Sequence, residues 1–203
     1  MHDQARNFTL FLKAAFPDSF SRKTVLDVGS GDINGNNRFL FDDCEYHGND
    51  VIAAPNVTVV SRTKDLMFAD NTFDTIISTE CFEHDPQYGE SLRKIYAMLK
   101  PNGLFCFSCA STGRHEHGTR RTSPHDSYGT IGGLEDMSDY YQNLTTRDID
   151  RVQNLDHVFS AWKSFYNAHS CDLYFFGLKK GDLELPSYQN PFVIEETIRY
   201  GGV

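Results

Sequence analysis

The feature that most constrains this sequence is a short apolar stretch, Thr24 to Val28, that runs directly into Gly29-Ser30-Gly31. An apolar, β-branched run that ends in glycines predicts a strand followed by a tight turn. Glycine carries no Cβ, so the backbone of such a turn can approach a ligand closely. In an open α/β sheet, ligands bind beyond the carboxyl ends of the strands. The sequence therefore predicts a ligand site at this turn.

The residue that precedes the glycines indicates which ligand binds. Gly29, Gly31 and Gly35 also fit a loose dinucleotide fingerprint, so an NAD-dependent oxidoreductase is an alternative. Asp27, two residues before the first glycine, separates the two possibilities. A carboxylate there attracts an ammonium group and repels a pyrophosphate. The pattern favours a ligand that carries an amino-acid ammonium.

The other segments alternate between helical and extended patterns. Helices are predicted over 4–16, 36–41, 87–99 and 145–155, with Asp85-Pro86 as the N-cap and first position of the third. Strands are predicted over 24–28, 46–51, 57–60, 73–79, 104–110, 157–166 and 171–179. This alternation predicts an α/β, doubly wound, seven-stranded and mostly parallel sheet with helices on both faces. The short connection between the last two strands makes them a C-terminal antiparallel pair.

The length of 203 residues suits one domain with its own core, and we predict a single domain over 1–203 with a leading helix in 1–20. Residues 111–143 are rich in Gly, Ser, Thr, His and Tyr. A connection this long in a compact domain is usually functional, so we predict that it is a lid over the substrate. The segment 182–203 is predicted to be a C-terminal tail that either caps the domain or meets another subunit, which leaves a homodimer open.

Charge and cysteine content limit the partners of the chain. Its formal net charge of −9 repels a phosphate backbone and argues against a nucleic-acid partner. The longest apolar run, Gly103–Ala110, is far too short for a membrane span, and the N-terminal segment lacks a secretory pattern. Five cysteines without framework spacing indicate reduced thiols. These features predict a cytoplasmic protein without a nucleic-acid or membrane partner.

Five ordered motifs between residues 23 and 110 resemble those of class I S-adenosyl-L-methionine (SAM) dependent methyltransferases. The first is the glycine turn with Asp27, and the others are Tyr46–Val51, Asp65–Asp74, Ser78–His84 and Leu99–Leu104. Segments between residues 112 and 175 are similar to a small-molecule methyltransferase subgroup of that family. The resemblance implies a Rossmann-like fold, SAM as cofactor, and methyl transfer to oxygen or nitrogen of a small-molecule acceptor. A protein that binds SAM without turnover is a further alternative.

The resemblance also implies which residues hold the cofactor. Asp50, which closes the second strand, matches the acid that binds the ribose hydroxyls. Arg62 stands where the family commonly has an acid for the adenine amino group. Arginine cannot accept that hydrogen bond, so either it stacks on the adenine or Asp65 substitutes for it. The expected cofactor-binding residues are Asp27, Gly29, Ser30, Gly31, Asp50, Val51, Thr63 and Thr79.

Methyl transfer from a sulfonium requires alignment of the acceptor with the breaking bond, and a base where the acceptor carries a proton. Glu80 and His84 follow the fourth strand and His117 lies on the predicted lid, so these three are the candidate catalytic residues. The string from Glu80 through Glu83 to His84 also resembles the metal-binding element of some O-methyltransferases, which His117 or His125 would complete. Because relatives also carry the string as scaffold, the expectation is that no metal is bound.

Overall fold

The computed structural model describes residues 2–181 of the chain. Its strands are β1 (Thr24–Val28), β2 (Glu45–Asp50), β3 (Val59–Val60), β4 (Phe73–Thr79), β5 (Leu99–Ala110), β6 (Phe159–Asn167) and β7 (Asp172–Lys179). Its α-helices are α1 (Asp3–Ala15), α2 (Tyr88–Met98), α3 (Tyr128–Ile131), α4 (Thr146–Val152) and α5 (Leu155–Val158). The predicted tail, 182–203, lies outside the described residues.

All seven strands belong to one sheet in the order β3-β2-β1-β4-β5-β7-β6. The first five strands run parallel to one another, and β7 is antiparallel to both β5 and β6. The chain builds outward from β1 to β3 and then crosses to β4, so the strand order reverses between β1 and β4. A crevice for a ligand forms at such a switch point. The predicted fold class is confirmed.

Two core clusters cover the two faces of the sheet. In β5, Phe105 and Phe107 belong to one cluster while Leu104 and Cys106 belong to the other, as expected from the alternation of side chains along a strand. Helices α2, α4 and α5 pack on the first cluster and α1 packs on the second. The predicted leading helix is confirmed: it ends at Ala15, just before Pro17, which cannot continue it.

The prediction of a helix over 36–41 is wrong. Only a 3₁₀ turn, Arg38–Leu40, is present there. The side chain of Asp32 accepts a hydrogen bond from the Gly35 N–H at 2.8 Å, and Asn36 accepts one from the Arg38 N–H at 3.0 Å. Short polar side chains that bond to the nearby backbone compete with helix formation. The loop after β1 is therefore polar and irregular.

Two other predicted boundaries were also wrong. Asp85 is not the N-cap of α2, because the helix begins at Tyr88 and its N-cap is Gln87. The side chain of Asp85 accepts from the Gln87 N–H at 2.8 Å in the turn ahead of the helix. Strand β5 begins at Leu99, not at residue 104, and reaches its later pairing through an irregularity in register. The capping box at Thr145 and Asp148 is confirmed.

The end of the last predicted helix also differs. The helix after Thr145 stops at Val152, and Asn154 caps a second short helix, α5. This cap accepts from the N–H of His157 at 3.2 Å, so that residue lies in a helix. Strand β6 consequently begins at Phe159, two residues later than predicted.

Candidate active site

A cavity of about 390 Å³ lies at the carboxyl ends of β1, β2 and β4. Its volume is in the range of small-molecule sites. Every residue predicted for cofactor binding or catalysis lines it except Asp27. The parallel strands bring these residues together because their carboxyl ends meet at one edge of the sheet.

The glycines after β1 are required for two different reasons. Gly29 has φ +70°, and a Cβ there would lie 2.6 Å from the Sγ of Cys81. Gly31 has no such backbone conformation, but a Cβ there would lie 2.1 Å from the ring of Tyr128 and 2.8 Å from Oδ2 of Asp50. The turn therefore needs glycine for its backbone at the first position and for space at the second.

Asp50 presents an oriented carboxylate to the cavity. Oδ2 accepts from the N–H of Gly31 at 3.0 Å, and Oδ1 accepts from the N–H of Val51 at 2.7 Å. Burial raises the pKa of Asp50, and these two hydrogen bonds act in the opposite direction. Each oxygen keeps a lone pair for a hydroxyl donor of a ligand.

Asp27 lies behind the cavity wall and is fully buried. Its carboxylate accepts hydrogen bonds from the hydroxyl of Tyr46 and from Nδ2 of Asn37, the latter at 3.1 Å. Burial raises the pKa of Asp27 to about 7, although those two hydrogen bonds lower it. Direct contact between Asp27 and a ligand ammonium stays a prediction, since Asn37 and not Asp27 lines the cavity.

Asn37 is a site residue that the sequence analysis missed. It is 1% exposed, and its Nδ2 also donates to Oγ1 of Thr79 at 3.2 Å. Its Oδ1 is buried and has no hydrogen-bond partner among residues 2–181. Because the amide nitrogen is held by Asp27 and Thr79, the oxygen is the atom left for a ligand donor. The only sequence signal was a loop rich in asparagine.

On the side of the cavity where adenine binding was predicted, Arg62 forms an ion pair within the protein. Its guanidinium pairs with Asp136, at 2.7 Å, and so connects the cavity wall to the segment predicted as a lid. Thr63 lines the cavity, and its hydroxyl donates to Oδ1 of Asn49 at 3.0 Å. Asp65 pairs with its neighbour Lys64 and does not line the cavity. An adenine contact by Arg62 or Asp65 stays a prediction.

The segment 111–143 folds over the cavity through further contacts. The hydroxyl of Tyr128 donates to the carbonyl of Asp32 at 3.2 Å, so α3 is held against the glycine turn. At the other end of the segment, the N–H of Gln142 donates to the carbonyl of Glu83 at 2.9 Å. This arrangement suits the predicted lid.

Glu80 belongs to a cluster of two carboxylates and two cations. Nε2 of His2 lies 2.9 Å from Asp172 and 3.5 Å from Glu80, and Arg114 approaches the same carboxylates at 3.3 and 3.9 Å. Burial opposes protonation of His2, but the two carboxylates outweigh it and raise its pKa to about 10. Burial would also raise the pKa of Glu80, but His2 and a hydrogen bond from Ser108 outweigh it and lower that pKa. Glu80 is consequently a weak base. Its pairing with His2 was not predicted from the sequence.

His84 and His117 lie together on the wall of the cavity. Their ring centroids are 4.9 Å apart and the rings are nearly perpendicular. Burial and the charge of His117 lower the pKa of His84 to about 3, which makes it a weak base as well. Burial raises the pKa of the adjacent Glu83, and the charge of Glu80 adds to this effect. Catalytic roles for Glu80, His84 and His117 stay predictions.

The geometry of the fold and cavity agrees with the sequence family of the chain. A family model described as "Methyltransferase domain" matches residues 1–169. The chain belongs to this methyltransferase-domain family. Membership in that family removes the support for the NAD-dependent oxidoreductase alternative.

Individual relatives share part of the sequence and the fold. Phosphoethanolamine N-methyltransferase 2 of Caenorhabditis elegans is 30% identical over an alignment of 105 positions that covers 43% of this chain and only 24% of that protein. The structure of 1,6-didemethyltoxoflavin-N1-methyltransferase from Burkholderia thailandensis has a TM-score of 0.60 at 17% identity. That comparison covers 88% of this chain and 79% of the other. Phosphoethanolamine N-methyltransferase 2 from Haemonchus contortus has a TM-score of 0.58 at 14% identity, with 87% of this chain and 53% of that chain covered. The two structures establish the fold.

Two features concern the environment of the protein. Within residues 2–181, no helix combines the length and the apolar character that crossing a membrane requires. All five cysteines are free thiols.

Proposed function

We propose that this chain transfers the methyl group of SAM to oxygen or nitrogen of a small-molecule acceptor. The observation that carries this proposal is the carboxylate of Asp50, which faces the cavity beside Gly31 and is oriented by two backbone N–H groups. A carboxylate in this place accepts hydrogen bonds from the two hydroxyls of a ribose and repels a pyrophosphate. Family membership supports the choice of cofactor, as do relatives crystallised with SAM or S-adenosylhomocysteine (SAH).

The other polar groups of the cavity fit the rest of the cofactor. We place the methionyl ammonium against the free Oδ1 of Asn37, with the buried carboxyl of Asp27 behind it. The methyl group then points towards the end lined by Glu80, His84 and His117. The acceptor binds there, under the lid.

The reaction needs few protein groups. A lone pair of the acceptor forms a bond to the methyl carbon while the carbon–sulfur bond breaks and its electron pair returns to sulfur, which yields SAH. The proton of an acceptor O–H or N–H leaves to a base or to water. The positive charge on sulfur disappears in this step, so a cavity closed to water favours it. Glu80, His84 and His117 stay the candidate bases, because all three line the cavity.

Calorimetry with SAM, SAH and NAD tests the cofactor. We expect both adenosyl ligands to bind and NAD to give no signal. Transfer of a labelled methyl group to a panel of sugars, nucleosides, amines and phenols then tests turnover. Absence of adenosyl binding would overturn the proposal, and binding without any transfer would favour the alternative of a SAM-binding protein.

We also propose that the protein acts in the cytoplasm without a nucleic-acid partner. Five free thiols support a reducing compartment, and the net charge of −9 disfavours nucleic acid. A homodimer stays a prediction, which light scattering on the purified protein tests.

A further inference from the structure

We propose that Glu83, His84 and His117 bind a divalent transition-metal ion such as zinc at the acceptor end of the cavity. Each residue offers one ligand atom, and the three atoms lie within 4.8 Å of one another. Two imidazoles and one carboxylate are a ligand set that suits such ions and leaves coordination positions open. This proposal reverses the expectation from the sequence that no metal is bound.

Unpartnered atoms at this place support the site independently. Oε1 of Glu83 accepts from the N–H of Ala110 at 3.2 Å, whereas Oε2 has no hydrogen-bond partner in the described part of the chain. The same holds for Nδ1 of His84. Glu83 is 0% exposed and His84 is 6% exposed, so water does not reach these atoms freely. Buried polar atoms without partners are costly, and one cation between them would accept both lone pairs.

The lid supplies the third ligand in a defined orientation. Nδ1 of His117 lies 3.1 Å from the carbonyl oxygen of His115, so this nitrogen carries the proton and Nε2 keeps its lone pair. The next residue, Gly118, has φ +68°, and a Cβ there would lie 2.6 Å from Cε1 of His84. Glycine at this position therefore allows the lid to bring one histidine up to the other.

A second cluster with similar spacing also has buried atoms without a hydrogen-bond partner among residues 2–181, Nε2 of His2 and Oε2 of Glu80, but its charges are already paired. His2, Glu80 and Asp172 also place ligand atoms within 4.8 Å, but the side chain of Arg114 and His2 itself already neutralise the two carboxylates. His125, the other histidine considered from the sequence, has a side chain that is 79% exposed and is absent from the cavity wall. The geometry selects one cluster and one lid histidine.

The position of the site indicates what the ion would do. His84 and His117 line the cavity, so an ion held by them would lie beside the proposed acceptor site. A Lewis acid there would hold an acceptor oxygen and favour loss of its proton. The acceptor class inferred is therefore one with a hydroxyl or carboxylate oxygen at or beside the methylated atom, and this last step rests on the proposed function.

The test uses metal-depleted full-length protein titrated with Zn²⁺ and, separately, with Co²⁺. Bound metal is measured by mass spectrometry after dialysis, and Co²⁺ coordination is followed by its visible absorption. We expect one equivalent of metal to bind. His117→Ala should weaken metal binding by at least about 100-fold, because one of three protein ligands is lost. The matched control, His125→Ala, removes an exposed histidine from the same lid and should bind like the wild type.

SAH binding to the metal-free proteins provides a second readout. We expect His117→Ala to bind SAH as the wild type does, which shows that the variant is folded. Failure of the wild type to retain one equivalent of metal, or equal metal affinity of the wild type and His117→Ala, would overturn the metal site. Loss of SAH binding in every protein would instead overturn the proposed function and leave the metal result standing.

Discussion

Replacement of Asp50 by alanine is expected to weaken SAH binding by about two orders of magnitude. Each carboxylate oxygen is held by one backbone N–H, from Gly31 at 3.0 Å and from Val51 at 2.7 Å, and keeps one lone pair for a ribose hydroxyl. A hydrogen bond to a charged group contributes about 1.5–3 kcal/mol, so two would contribute about 3–6 kcal/mol. Water replaces part of this in the variant, so we take the lower end, about 3 kcal/mol or roughly 100-fold in Kd.

Titration calorimetry with SAH measures this effect, and two variants serve as controls. Asp50→Asn keeps the shape and one acceptor oxygen and should lose about tenfold in affinity. His117→Ala lies at the acceptor end and should change the Kd by less than about threefold. Thermal unfolding of each variant shows whether it is folded. Equal losses for Asp50→Ala and His117→Ala, or wild-type affinity for Asp50→Ala, would refute the assignment of Asp50 to the ribose.

Four further predictions follow from buried and paired side chains. Burial raises the pKa of Asp27 to about 7, and a bound ammonium favours its ionised form. Calorimetry should therefore show SAH affinity that rises from about pH 5 to 7 and levels off above pH 7. The Asp27→Asn variant should show no such rise. In the free protein the folded chain holds a proton that the unfolded chain releases, so the free energy of unfolding should fall as pH rises from about 4 to 7. Phe82→Ala in the core should cost about 3–5 kcal/mol in urea unfolding, against less than about 0.5 kcal/mol for the exposed Leu10→Ala. Arg62→Ala should cost less than about 1 kcal/mol in stability but should speed proteolysis of the segment 111–143. Adding Asp136→Ala should change neither the stability nor the proteolysis rate further. Unchanged proteolysis in Arg62→Ala would argue against this ion pair as a contact of the lid.

The parts of the fold that the sequence predicted well are those with strong local patterns. The predicted strands 24–28 and 73–79 agree with the bounds of β1 and β4, because each is a short run rich in β-branched residues, which is typical of a buried strand. The helix predicted over 36–41 failed because Asp32 and Asn36 bond to the nearby backbone. Hydrophobic periodicity depends only on which side chains are apolar. It does not indicate which polar side chains form hydrogen bonds to the nearby backbone.

The candidate site was predictable where it follows directly from strand ends. Asp50 and Thr79 lie in the cavity because each closes a strand of a parallel sheet. Asn37 and His2 were missed because their places depend on how a loop and the first helix pack against the sheet. Asp27 shows the same limit, since the sequence placed a carboxylate beside the turn but did not show that its side chain is buried behind Asn37.

The contact between Gly31 and Tyr128 has a consequence for how homologous sequences vary. A Cβ at position 31 would lie 2.1 Å from the tyrosine ring, although the glycine has an ordinary backbone conformation. A substitution at position 31 is thus compatible with the backbone of the turn but displaces the aromatic ring above it and crowds the carboxylate of Asp50. Homologues that acquire alanine or serine there should carry a smaller residue at position 128, so that the two positions change together over evolution.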